Sequence, residues 1–174
     1  MGQPRTGARR PPALTPKKPA LTPKKPALTS KKPALTSKKE NTVEISAKPP
    51  TAKGPAETFT GDAWVDPITR GLPPSSLNVA AVRFSPGART AWHSHEGGQT
   101  LYVTEGRGLV QVRGGGAVEL HPGDVIYAPD GEEHWHGATP DDFMTHLSIT
   151  EGAPHWGEHV TDQEYADASP EGGR

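Results

Sequence analysis

From residue 58 to residue 150 the chain is cut every few residues by Gly, Pro or Asp, and the pieces between the cuts are too short for ordinary helices. Aromatic and β-branched residues fill those pieces with a period of two, the pattern of half-buried strands. Short strands are therefore predicted over residues 58–60, 63–65, 78–84, 90–95, 99–104, 108–113, 117–120, 124–128, 134–138 and 144–150. Many short strands with hardly a helix predict an all-β fold, a single-domain antiparallel sandwich or barrel. The clear helix start is the capping box Thr161-Asp-Gln-Glu164 near the C-terminus.

The N-terminal third follows another rule. Residues 13–39 repeat with a period of seven, Ala-Leu-Thr-Pro-Lys-Lys-Pro giving way to Ala-Leu-Thr-Ser-Lys-Lys. Each unit has one large apolar residue, and Pro16, Pro19, Pro23, Pro26 and Pro33 remove amide donors, so neither a coiled coil nor a stable helix is expected. The expectation is a disordered, partly polyproline-like tail over residues 1–53, a linker over residues 40–56 and a folded domain over residues 54–174. Of the 19 Lys and Arg, 13 precede Gly54, where Glu40 and Glu44 are the sole acids; the tail carries +11 and the remainder −12. Thr15-Pro-Lys-Lys and Thr22-Pro-Lys-Lys resemble the minor-groove-binding repeats of linker-histone tails, which makes nucleic acid a candidate partner. A repeat-expanded tail with no ligand is the plainer alternative.

The chain has no cysteine, so disulfides and thiolate chemistry are excluded. It has no apolar run of the ~18 residues a membrane span needs, and its N-terminus lacks the apolar core of a secretory signal. A soluble, cytoplasmic protein without membrane contact is expected.

His93 and His95 are two residues apart, so on a strand they share a face. Gln99 keeps the same parity beyond the Gly97-Gly98 break, and His134 arrives from a distant strand. Three imidazoles and an amide suit a borderline divalent ion such as Mn, Fe, Ni or Zn, and the donors alone do not choose among them. Two further imidazoles are candidates for a general base: His136, which shares the parity of His134, and His146, on the face of a late strand that also holds Met144 and Ser148. Thr90 is placed to hydrogen-bond a substrate oxygen, and Ala80 and Val82 form an apolar wall suited to a phenyl ring. His121, His155 and His159 lie outside this pattern and are not expected to ligate. Turning His146 inward turns Phe143, Leu147 and Ile149 outward, which predicts a homo-oligomer formed through the barrel.

These residues sit in two blocks. Gly87, His93, His95, Gln99 and Gly106 follow the spacing Gly-x5-His-x-His-x3-Glu-x6-Gly, and Gly123, Pro129, Gly131 and His134 follow Gly-x5-Pro-x-Gly-x2-His-x3-Asn. The pair resembles the two motifs of the cupin superfamily, with Gln99 in the usual Glu position and Ala138 in that of the final Asn. The first block, the run His134-Trp-His136-Gly-Ala138 and the segment Met144-Thr-His146-Leu147 are similar to the small manganese cupins with hydroxynitrile lyase, or (R)-mandelonitrile lyase, activity. The likeness covers roughly residues 54–168. It implies a small jelly-roll barrel and manganese, with iron as a substitute, held by His93, His95, Gln99 and His134. It also implies that His146 lines the pocket and handles the proton.

A Gln at the fourth position leaves the full +2 on the ion where a Glu would leave +1, so the centre is a stronger Lewis acid and a poorer redox centre. That favours a lyase over an oxygenase, and the resemblance implies cyanohydrins as its substrates. The alternatives are a metal-dependent dioxygenase or isomerase using the same ligands, and a non-catalytic cupin that binds a small molecule while its tail holds nucleic acid.

Overall fold

The computed structural model describes residue 43 and residues 45–169. The seven-residue repeats, with their expected disorder and nucleic-acid contact, lie outside the described residues. The elements are β1 (Ala52–Lys53), β2 (Phe59–Thr60), β3 (Ala63–Arg70), β4 (Leu77–Phe84), β5 (Arg89–Thr90), β6 (His93–His95) and β7 (Gln99–Gly106). They continue with β8 (Gly108–Val112), β9 (Ala117–Leu120), β10 (Val125–Ala128), β11 (His134–Ala138), β12 (Met144–Glu151), β13 (Pro154–Trp156) and α1 (Asp162–Ala168). Among the described residues no helix is long and apolar enough to cross a membrane.

The strands form two antiparallel sheets that curl into a small jelly-roll β-barrel. The first runs β1-β3-β4-β12-β7-β10, and the second runs β13-β6-β11-β5-β2, with β8 and then β9 added beside β11. Alternation decides what faces the interior: Val82 and Phe84 of β4, Leu101 and Val103 of β7 and Met144 of β12 are buried. Of these, Val82, Phe84, Val103 and Met144 form one core cluster with Ala63, Ala88, Val110, Leu120 and Ala138. A second cluster of Trp92, Leu109, Trp135, Val160 and Tyr165 seats the helix against the second sheet. The helix begins at the expected capping box, with Thr161 as its N-cap and Glu164 reaching back to the cap. The Tyr165 hydroxyl donates to the Ala138 carbonyl at 2.7 Å, tying the helix to the end of β11.

Four local features differ from the sequence expectation. Residues 52–53, read as linker, pair with β3. β3 does not stop at Asp66-Pro67; it continues to Arg70 across an irregularity between Pro67 and Thr69, where the missing proline donor is tolerated. The single strand expected over residues 90–95 is broken into β5 and β6, because the amides of Ala91 and Trp92 turn to the carbonyls of Thr58 and Glu158. β13, without any alternating pattern, pairs with β6 and closes that edge.

Candidate metal centre and cavity

β6 and β11 are paired with His93 directly opposite His134, so the two rings lie side by side with centroids 4.4 Å apart. His95 follows two residues later on the same face. One ring nitrogen from each of His93, His95 and His134 falls within 4.8 Å of the others. The chain then reverses through Gly97 and Gly98, both at positive φ, and a Cβ on Gly98 would stand 2.7 Å from the Ala128 carbonyl oxygen, so a side chain there is excluded. This turn lets β7 begin with Gln99 facing inward, buried against the same group.

Neighbouring groups settle the orientation of the donors. Nδ1 of His93 donates to the Ala91 carbonyl at 3.0 Å, and Nδ1 of His134 donates to the Glu132 carbonyl at 2.9 Å, which leaves each Nε2 as a lone pair. The Gln99 amide nitrogen donates to Ser148 Oγ at 2.9 Å, turning Oε1 toward His134 Nε2 at 2.8 Å. Two acceptors thus face each other, an arrangement that a shared cation resolves. Both nitrogens of His95 are buried with no protein partner, which points the same way. Burial, followed by the field of His134, pushes His93 down to about 3 and His95 to about 4. Burial also lowers His134. All three rings are neutral at pH 7, the form that ligates. The residues present fit a divalent metal ion.

The group opens onto a cavity of about 600 Å³. Ala80, Val82 and Thr90 line it, with Phe59, Val65 and Trp156 completing an apolar and aromatic wall. Thr90 Oγ1 accepts the backbone N–H of His136 at 3.1 Å, and its own O–H stays available to a ligand. His136 lines the cavity, but His146 does not. His146 is fully buried behind it, with Nε2 at 3.2 Å from His136 Nδ1. His136 Nε2 and His146 Nδ1 have no protein partner. Burial, then the neighbouring His146, lowers His136 well below the usual imidazole value, and burial takes His146 to about 4. The pair is packed by Phe84, with ring centroids 5.8 Å from His136 and 5.6 Å from His146.

Other residues of the site carried weaker signals. Ser148 orients Gln99, and its inward parity with His146 was the available clue. Trp156 lies 4.8 Å from the His93 ring, on a strand with no sequence pattern to announce it. Arg113 stacks 3.8 Å over Trp92 and pairs with Glu133 and Glu158, gripping the residues that precede His93 and His134. His121 and His155 are exposed beside Glu119 and Glu96, and His159 lies by Thr60; none joins the three-histidine group.

The model of the cupin domain matches residues 80–150. Over 119 residues, covering 66% of this chain and 91% of the relative, the sequence is 51% identical to a protein of Granulicella tundricola named (R)-mandelonitrile lyase. Among solved structures, a cupin-like protein from Thermotoga maritima superposes with a TM-score of 0.67 at 40% identity, covering 75% of this chain and all of that one. An acetylacetone dioxygenase from Acinetobacter johnsonii shares the fold, with a TM-score of 0.56 at 20% identity over 72% of this chain and 84% of its own. A jelly-roll barrel with three converging histidines, matched along nearly the whole length of these relatives, belongs to the cupin family.

Proposed function

We propose that this cupin is a metal-dependent carbon–carbon lyase of the hydroxynitrile lyase type, cleaving or forming cyanohydrins such as mandelonitrile. The observation that carries the proposal is a pair of imidazoles, one facing the cavity and one behind it, beside a donor group that contains no carboxylate. The name of the relative from Granulicella tundricola supports it. His93, His95, Gln99 and His134 would hold the ion, manganese in this reading, which supplies an undiminished +2 Lewis acid because all four donors are neutral.

The chain's own residues do the remainder. Ala80, Val82 and Phe59 receive an aryl group, and the Thr90 hydroxyl donates to the substrate oxygen. His136 takes the cyanohydrin proton on Nε2 while its Nδ1 proton passes to His146 Nε2, so His136 is neutral again and the positive charge rests on His146, one ring away from the cavity. The oxygen electron pair becomes the carbonyl bond, and the carbon–carbon bond breaks with its electrons on cyanide. The stored proton returns to give hydrogen cyanide.

The test is metal analysis of purified protein followed by release of benzaldehyde from mandelonitrile. His146→Ala and His136→Ala should each keep the metal and lose ~100-fold or more in turnover. Metal-loaded wild-type protein that does not cleave mandelonitrile would overturn the assignment.

A further inference from the structure

A single row of residues crosses the first sheet from the mouth of the cavity to the metal group. Arg70, the last residue of β3, pairs with Asn78 on β4; Asn78 pairs with Thr150 on β12, and Thr150 with Gln99 on β7. Residues directly opposed on neighbouring strands share a face, and all four line the cavity. Three strand spacings make a path of roughly 14 Å along the wall. Exposure falls along it: Arg70 is exposed, Asn78 half-buried, Thr150 and Gln99 buried.

Arg70 is set apart by its charge environment. Arg83, Arg89, Arg107 and Arg113 each pair with a carboxylate, whereas among the described residues no carboxylate pairs with Arg70. The cavity contains no Asp or Glu, although the chain from Gly54 onward has 18 of them. Asn78 does not compete for an anion, because its amide nitrogen is committed to the carbonyls of Ser76 and Gly152. What the wall offers at its outer end is a lone guanidinium, the group that meets a carboxylate with two parallel hydrogen bonds.

We propose that Arg70 recognises a carboxylate on the end of the substrate remote from the reacting carbon, so that the preferred substrates are carboxylated aryl or alkyl carbonyl compounds and their cyanohydrins. The reacting end of that description rests on the lyase reading; the recognition of the anionic end does not.

The experiment uses the metal-loaded full chain as wild type, Arg70→Ala and Arg70→Lys, with metal content measured in each. 4-Formylbenzoate and benzaldehyde are titrated calorimetrically, and the KM values of 4-carboxymandelonitrile and mandelonitrile are compared. Wild type should favour the carboxylated member of each pair by roughly 10-fold, the scale of one charge-assisted contact at a partly solvated site. Arg70→Ala should abolish that preference, and Arg70→Lys, which keeps the charge and loses the fork, should retain part of it. If no cyanohydrin is cleaved, the lyase reading fails, and a titration preference that disappears in Arg70→Ala still upholds the arginine. Equal binding of both aldehydes by wild type, or a preference that survives in Arg70→Ala, overturns the proposal.

Discussion

Gln99 is held from two sides, its amide nitrogen by Ser148 and its oxygen beside His134, so a carboxylate fits the same space with little movement. Gln99→Glu should therefore keep the metal, and bind it more tightly, because an anion replaces a neutral donor. The same change lowers the net charge of the centre from +2 to +1, which weakens stabilisation of negative charge in the transition state. Cyanohydrin cleavage should fall while metal content stays full. Equal or faster cleavage by a fully metallated variant would show that the neutral amide is incidental. His146 illustrates how far residue-level inference reaches: its parity placed it on an inward face, which it occupies, while its distance from the cavity, behind His136, depends on how two sheets meet.

At the scale of elements, the hairpin contacts around Arg113 decide how firmly the two ligand strands are set. Arg113 follows β8, stacks on Trp92 just ahead of β6, and pairs with Glu133 just ahead of β11. The Arg113 partnership also lowers the Glu133 carboxyl below its ordinary value. Removing the guanidinium loses a cation–π contact and a small ion-pair network, together about 1–2 kcal/mol. Arg113→Ala should lower the thermal midpoint and weaken metal retention, read by competition with a chelator. An unchanged chelator profile would confine Arg113 to the surface. Gly137 acts at the same scale: a Cβ there would stand 2.5 Å from the Ala88 carbonyl oxygen, so its absence lets β5 close on β11.

Across the whole molecule, the buried imidazoles link stability to pH. The unfolded chain protonates them near 6.5, whereas the folded barrel holds His95 and His146 at about 4 and His93 at about 3. The unfolded state therefore binds more protons in that window, and stability falls as pH drops from about 6.5 toward 4. Chelator-treated protein should show a lower denaturant midpoint at pH 5 than at pH 7, and equal midpoints would contradict the burial argument. The outer face of the first sheet bears on assembly. Leu147 lies between Ala81 and Tyr102, Tyr102 pairs with Val125, and Thr100 pairs with Tyr127; Tyr102, Val125 and Tyr127 are 42%, 67% and 66% exposed. We propose that a second copy covers this strip. Sedimentation should give a dimer or larger species that Tyr102→Glu dissociates, and a monomeric wild type would rule it out.

Local chemistry made much of this protein legible from its sequence. Glycine and proline punctuation confined the domain to short strands, and period-two alternation put His93 and His95 on one face because neighbouring side chains on a strand point to opposite sides, whereas Gln99 joins them across a glycine turn from a strand of the other sheet. The capping box marked the helix for the same reason, since Thr161 and Glu164 meet within one turn. Only the tertiary structure decided what stands opposite what. The pairing of His93 with His134, Trp156 against His93 and the row from Arg70 to Gln99 depend on registers between paired strands, and the placement of His136 in front of His146 depends on how the two sheets meet. Those registers are set by the packing of the whole barrel interior, where one residue of slip would turn every side chain of a strand to the opposite face.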